Sequence, residues 1–153
     1  MPRPFNGQIA IDVRNSEQDW DAYTQVSPPE GSPNIIYLMW DDVGFDTWDL
    51  FGGLVEVPNM KRICDRGLRF TQVHTSALCS PTRGSLLTGR NSSSIGMNTI
   101  SEAAMGFPGL NTHMPPEAAT VAEVLQEKGW STFHVGKWHL TPTDEMNMAA
   151  TKD

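Results

Sequence analysis

The run NIIYLMW, residues 34–40, restricts this chain to few architectures. A strand with one wet face alternates apolar and polar side chains, whereas a continuous apolar run is the pattern of a strand buried on both faces, as in a parallel sheet. The run passes directly into Asp41 and Asp42, with Gly44 close behind. Open α/β sheets bind their ligands beyond the carboxyl ends of their strands, which is where this acidic pair would lie.

The segments that follow keep an α/β cadence. VPNMKRICDRG (57–67) has apolar residues at Val57, Met60, Ile63 and Cys64, Pro58 near its start and Gly67 as a stop, and is predicted to be a short amphipathic helix. LRFTQVHT (68–75) is expected to form a second strand. PTRGSLLTG (81–89) is predicted to be a helix of about two turns whose Pro81 sits in the first turn, where a missing N–H costs nothing. Residues 91–116 are rich in Ser, Asn, Gly, Met and Pro and read as a long loop, a kind that is often functional. TVAEVLQEKG (120–129) opens on a capping box of Thr120 with Glu123 and closes at Gly129, and STFHVGKWHL (131–140) is a third candidate strand. The expected fold class is therefore α/β, a partial and mostly parallel sheet flanked by helices.

Residues 1–33 are polar and end in SPPEGSP, so they are read as a surface leader ahead of a domain spanning 34–153. The tail TPTDEMNMAATKD brings no helix to cover the sheet, which suggests a piece of a larger domain.

Composition narrows the function. A net charge of −7 argues against a nucleic-acid partner held through phosphates. No run approaches the roughly 20 apolar residues that span a bilayer, so no membrane role is expected. The N-terminus lacks the basic start and apolar middle of a secretory signal, and a cytoplasmic location is expected. Two cysteines, Cys64 and Cys79, make no disulfide framework.

Three polar clusters fall near predicted strand ends. Asp41 and Asp42 offer hard oxygens suited to Ca²⁺ or Mg²⁺, or else form a solvated cap for the next segment. Cys79 stands at the start of a helix, where free amides favour negative charge and depress a thiol pKa, and Arg83 one turn on presents its fork to an oxyanion; the alternative is a small core residue. Lys137 and His139 are two apart, so an extended strand would point both to one face, a cation for an anionic substrate beside an imidazole for proton transfer. Taken alone, that pair is better explained by a strand edge with a snorkelling lysine and a hydrogen-bonded histidine. His74, His113 and His134 have weaker cases, His134 as a packed or capping residue and His113 as a loop residue.

NIIYLMWDDVGFD, CSPTRGSLLTGR and GWSTFHVGKWHL, in that order, resemble the formylglycine-dependent sulfatases of the alkaline-phosphatase-like superfamily, most closely in spelling the bacterial arylsulfatases. The likeness covers about residues 33–142, the N-terminal part of a sulfatase catalytic domain. It implies a sulfuric ester hydrolase acting on small-molecule sulfate monoesters. Cys79 would be oxidised to formylglycine by a formylglycine-generating enzyme that reads Cys79-Ser80-Pro81-Thr82-Arg83, with Pro81 and Arg83 two and four places on. The aldehyde hydrate would attack sulfur and expel the alcohol; loss of a proton from its second hydroxyl would then release sulfate.

The resemblance further implies one divalent ion, usually Ca²⁺, held by Asp41, Asp42 and the modified Cys79. Arg83 would stabilise the charged hydrate, and Lys137 and His139 would hold the nucleophile and the sulfate group. The family's second metal pair, Asp-Asn, and a further histidine and lysine fall outside this sequence, and RNSSSIG (90–96) replaces residues that are often histidines in close relatives. Activity is therefore expected to be impaired if the chain ends at 153. Phosphonate or phosphate ester hydrolysis and an inactive truncated remnant are the competing expectations.

Overall fold

The structure, a computed structural model, describes residues 3–24, 26–143 and 145. The tail beyond Glu145, expected to belong to a larger domain, lies outside the described residues. Three α-helices form: α1 (Pro58–Cys64), α2 (Cys79–Thr88) and α3 (Val121–Gln126). Short 3-10 turns lie at Val13–Asn15, Asp49–Phe51, Ser92–Ile95 and Ser101–Ala103. Among the described residues no helix is long and apolar enough to cross a membrane.

Each helix begins and ends for a local reason. Pro58 opens α1, its fixed φ already helical and its missing N–H not needed there. In α3 the capping box closes from both sides: Thr120 Oγ1 accepts from the Glu123 amide at 3.3 Å, and the Glu123 carboxylate accepts from the Thr120 amide at 2.6 Å. Gly129 follows with φ 94, a conformation that costs a glycine little. Helix α2 starts two residues before the predicted Pro81, so that Cys79 is its first residue, and it ends at Gly89, whose amide donates to Ser85 O at 2.8 Å.

The expected sheet is not seen among the described residues. Among the described residues there is no strand, and β pairing is confined to isolated bridges, Gln8 with Glu17 (antiparallel) and Trp48 with Val55 (parallel). Residues 34–40, 68–75 and 131–140 exchange no ladder hydrogen bonds with one another among the described residues. Ile36 is 85% exposed and Phe133 90% exposed. A strand meant for burial on both faces gains from its apolar side chains only when strands flank it and helices cover it. Nothing described here supplies those layers to these segments, so their composition finds no interior. Local aromatic pairing takes its place, with Trp40 edge-on to Trp48 at 5.3 Å and Phe45 against Phe51 at 4.3 Å.

The core sits elsewhere. Ile95, Met97, Ala118 and Leu140 are buried together, with Leu87, Met114 and Trp138 packed against them. Three of these, Ile95, Met97 and Met114, come from the segment read as a long loop, 91–116, which is folded rather than structureless. Its backbone is closed by Met97 N to Ser92 O, Asn98 N to Gly109 O and Thr112 N to Gly96 O, at 2.8, 2.9 and 2.9 Å. Helix α2 approaches it through Gly84, where a Cβ would lie 3.0 Å from the Ile95 methyl.

Candidate active site

The N-terminal turn of α2 provides the platform. Cys79 is its first residue, and Pro81 offers no amide to that turn, so the free N–H groups nearest the dipole's positive end belong to Cys79 and Ser80. Arg83, one turn on, is buried with 10% of its side chain exposed. Its guanidinium donates through Nη1 to Lys137 O at 2.6 Å and through Nη2 to Asp41 Oδ1 at 3.4 Å, while Nε has no partner among the described residues.

The segment from Gly136 to Leu140 brings the other groups. Trp138 and Leu140 pack into the core, whereas Lys137 and His139 turn the other way. The two-residue alternation expected of a strand is therefore present without a ladder. Gly136 at φ 102 and His139 at φ 57 bend the backbone into the left-handed region on either side of Trp138. Lys137 Nζ donates to Asp41 Oδ1 and Oδ2 at 3.0 and 2.9 Å, and His139 Nδ1 lies 3.2 Å from Cys79 Sγ.

Five of the six residues singled out from sequence thus meet: Asp41, Cys79, Arg83, Lys137 and His139, from three distant stretches of chain. Asp42 is exposed with φ 52 and makes no side-chain hydrogen bond among the described contacts. The hydrogen bond from Lys137 holds the Asp41 carboxyl below its usual range, with Arg83 adding to the effect, and the same pair raises the Lys137 ammonium above its own.

One member of the cluster was not foreseen. Glu102, on the 3-10 turn Ser101–Ala103, accepts from His139 Nε2 at 2.7 Å, and that hydrogen bond holds its carboxyl below the usual range. No spacing rule ties position 102 to position 139. The available signal was only that a long polar segment inside a domain is often functional.

The donors for a divalent ion do not gather. Among the described residues no three of His, Cys, Asp and Glu come close enough to hold a metal. Both oxygens of Asp41 face the Lys137 ammonium, so its charge is already met by a cation. As arranged, Asp41, Asp42 and Cys79 do not fit a metal centre, and no step is derived through one.

The cluster can therefore hold an anion beside residue 79 and move a proton at His139 Nδ1. The family model described as Sulfatase matches residues 33–152. An uncharacterized sulfatase of Schizosaccharomyces pombe is 34% identical over 120 residues, 74% of this chain and 22% of that protein. The arylsulfatase of Klebsiella aerogenes is 33% identical over 110 residues, covering 71% of this chain and 24% of the enzyme. Human arylsulfatase A is 37% identical over 110 residues, 71% of this chain and 21% of that protein. The chain thus spans between a fifth and a quarter of the length of these relatives. No solved structure gives a significant match. With the family model covering most of the chain, and with the nucleophile candidate, the buried arginine and the lysine–histidine pair assembled at one place, the chain belongs to the sulfatase family, whose domain has an alkaline-phosphatase-like α/β fold.

Proposed function

We propose that this chain carries the nucleophile half of a sulfuric ester hydrolase of the arylsulfatase type. The observation that carries this reading is the position of Cys79 at the head of α2, with His139 Nδ1 3.2 Å from its sulfur and Arg83 and Lys137 alongside. The sulfur of Cys79 stands where the family's oxygen nucleophile is generated, by conversion of the side chain to formylglycine by a separate enzyme. That group, once hydrated, supplies two hydroxyls on one carbon, one to attack sulfur and one whose deprotonation releases sulfate.

The surrounding residues have roles that follow from their placement. His139 Nδ1 is aimed at residue 79 and is suited to take its proton. Lys137 and Arg83 place two cations beside the position a sulfate group would occupy, and preorganised charge of this kind is commonly the largest catalytic contribution. Asp41 holds both cations in place in the absence of substrate. The family generally uses a divalent ion as well; as arranged here, both Asp41 oxygens face the Lys137 ammonium instead.

Two measurements test this reading. Mass spectrometry of the peptide containing Cys79, from protein made with a formylglycine-generating enzyme, should show the thiol replaced by an aldehyde. Hydrolysis of an aryl sulfate should exceed that of the matching aryl phosphonate and should vanish in Cys79→Ala. An unmodified Cys79, or a preference for the phosphonate, overturns the assignment.

A further inference from the structure

Both ring nitrogens of His139 are engaged, one by the nucleophile position and the other by a residue from an unrelated part of the chain. Nδ1 lies 3.2 Å from Cys79 Sγ, and Nε2 lies 2.7 Å from Glu102 Oε2. We propose that Glu102 is the positioning residue for His139, fixing the ring so that Nε2 carries the proton and the Nδ1 lone pair faces residue 79.

With Glu102 ionised and the ring neutral, the two contacts fix this assignment. An ionised carboxylate only accepts hydrogen bonds, so the nitrogen facing Glu102 must be the N–H. A neutral imidazole has one N–H, and Nδ1 is then left as an acceptor toward the thiol, or toward a hydroxyl formed in its place. This role for Nδ1 rests on the reading of residue 79 as the nucleophile; the hydrogen bond to Glu102 does not.

The support for Glu102 is itself anchored. Ser101, beside it, is 4% exposed, and its carbonyl accepts from Thr143 Oγ1 at 3.0 Å. Ala103 N closes the same turn on Ile100 O at 3.0 Å. The His139 backbone is at φ 57, a conformation a non-glycine residue keeps only where its surroundings impose it. Leu140 buried on one side and the Glu102–His139–Cys79 chain on the other are those surroundings. The histidine side chain is 17% exposed and the Glu102 side chain 62% exposed, so the contact is held from the His139 side and open to solvent on the glutamate side.

The test reads the ring directly. The protein has four histidines, so long-range proton–nitrogen NMR of its imidazoles gives a simple spectrum, with His139→Gln identifying the signals. At about pH 8, above the ordinary imidazole range, His139 should carry its proton on Nε2, and that proton should be shifted downfield and slow to exchange. Glu102→Ala should abolish the slow exchange, and Glu102→Gln, whose amide oxygen still accepts, should keep the proton on Nε2 and move it upfield.

Where sulfate ester turnover is present, Glu102→Ala should lower kcat by roughly ten- to a hundredfold with KM little changed, and Glu102→Gln should restore most of it. A ring protonated on Nδ1 in the wild type overturns the proposal, as does an unaltered Nε2 proton in Glu102→Ala. Should that variant fail to fold, an unshifted Nε2 proton in Glu102→Gln overturns it equally. A protein that shows the ring signature but hydrolyses no sulfate ester would remove the functional reading and leave this one standing.

Discussion

Residues 34–40 and residues 91–103 invert the usual relation between composition and burial. The first stretch is Ile, Ile, Tyr, Leu, Met and Trp after one Asn, and most of it faces solvent, Leu38 at 63% and Tyr37 at 53% exposure. The second is largely Ser, Asn and Gly, yet it contributes Ile95 and Met97 at 0% exposure. The difference lies in what each can satisfy by itself. An extended apolar run depends on partners for every backbone group and both faces. The polar stretch closes on itself: Asn91 Oδ1 accepts from the Ser93 amide at 2.9 Å, Ser92 Oγ donates to Asn98 Oδ1 at 3.0 Å, Gly84 admits the Ile95 and Met97 side chains, and Gly96 admits the His113 carbonyl.

The largest test of that contrast is a pair of truncations. Ile95→Ala should cost about 2–5 kcal/mol of stability in urea denaturation, whereas Leu38→Ala should stay within about 0.5 kcal/mol. Equal losses would mean that the apolar run is also buried, and the comparison would fail. A second pair separates crowding from backbone strain. Gly96 and Gly31 both have positive φ, at 74 and 80, but a Cβ at 96 would lie 2.5 Å from Asn111 Oδ1 and 2.7 Å from His113 O, while at 31 nothing lies within 4 Å. Gly31→Ala should therefore cost roughly 1 kcal/mol from conformation alone, and Gly96→Ala distinctly more, as the difference in melting temperatures would show.

Thr120→Ala, which opens the capping box ahead of α3, should cost about 1 kcal/mol. A loss well above that would show that α3 anchors more of the folded region than its one-turn contact with α2 suggests. The smallest effect belongs to the exposed edge of the site. Lys137 lowers the Asp41 carboxyl, so unfolding lets that group bind a proton more readily. Its contribution is complete above the ordinary carboxylate range and is lost as pH falls through the lowered native value. Lys137→Met should flatten the acid side of the stability profile measured by urea midpoints, and an unchanged profile would show that the pair contributes nothing.

Much of this was legible in the sequence, for identifiable reasons. Helix ends depend on the nearest few residues, and so Pro58, Gly89 and the Thr120–Glu123 box marked them correctly. Asp41, Cys79, Arg83, Lys137 and His139 were each picked by residue type beside an expected element end, and the structure brings them together. The sheet was not legible in the same way, because a strand exists only with its neighbours and residues 34–40, 68–75 and 131–140 have none described. Glu102 was invisible because its role is a contact across 37 residues of chain, with no local pattern to announce it.

The alternation at Lys137, Trp138, His139 and Leu140 has a consequence for how this protein can change. Its two reactive side chains are threaded between two structural ones on a single short span, so they cannot be adjusted separately from the interior. A substitution at Leu140 or in its packing partners Ile95 and Met97 would tilt an ammonium and an imidazole together, far from any substrate. The placement of Lys137 and His139 is thereby coupled to packing, and drift in the interior would register first as a shift of that pair.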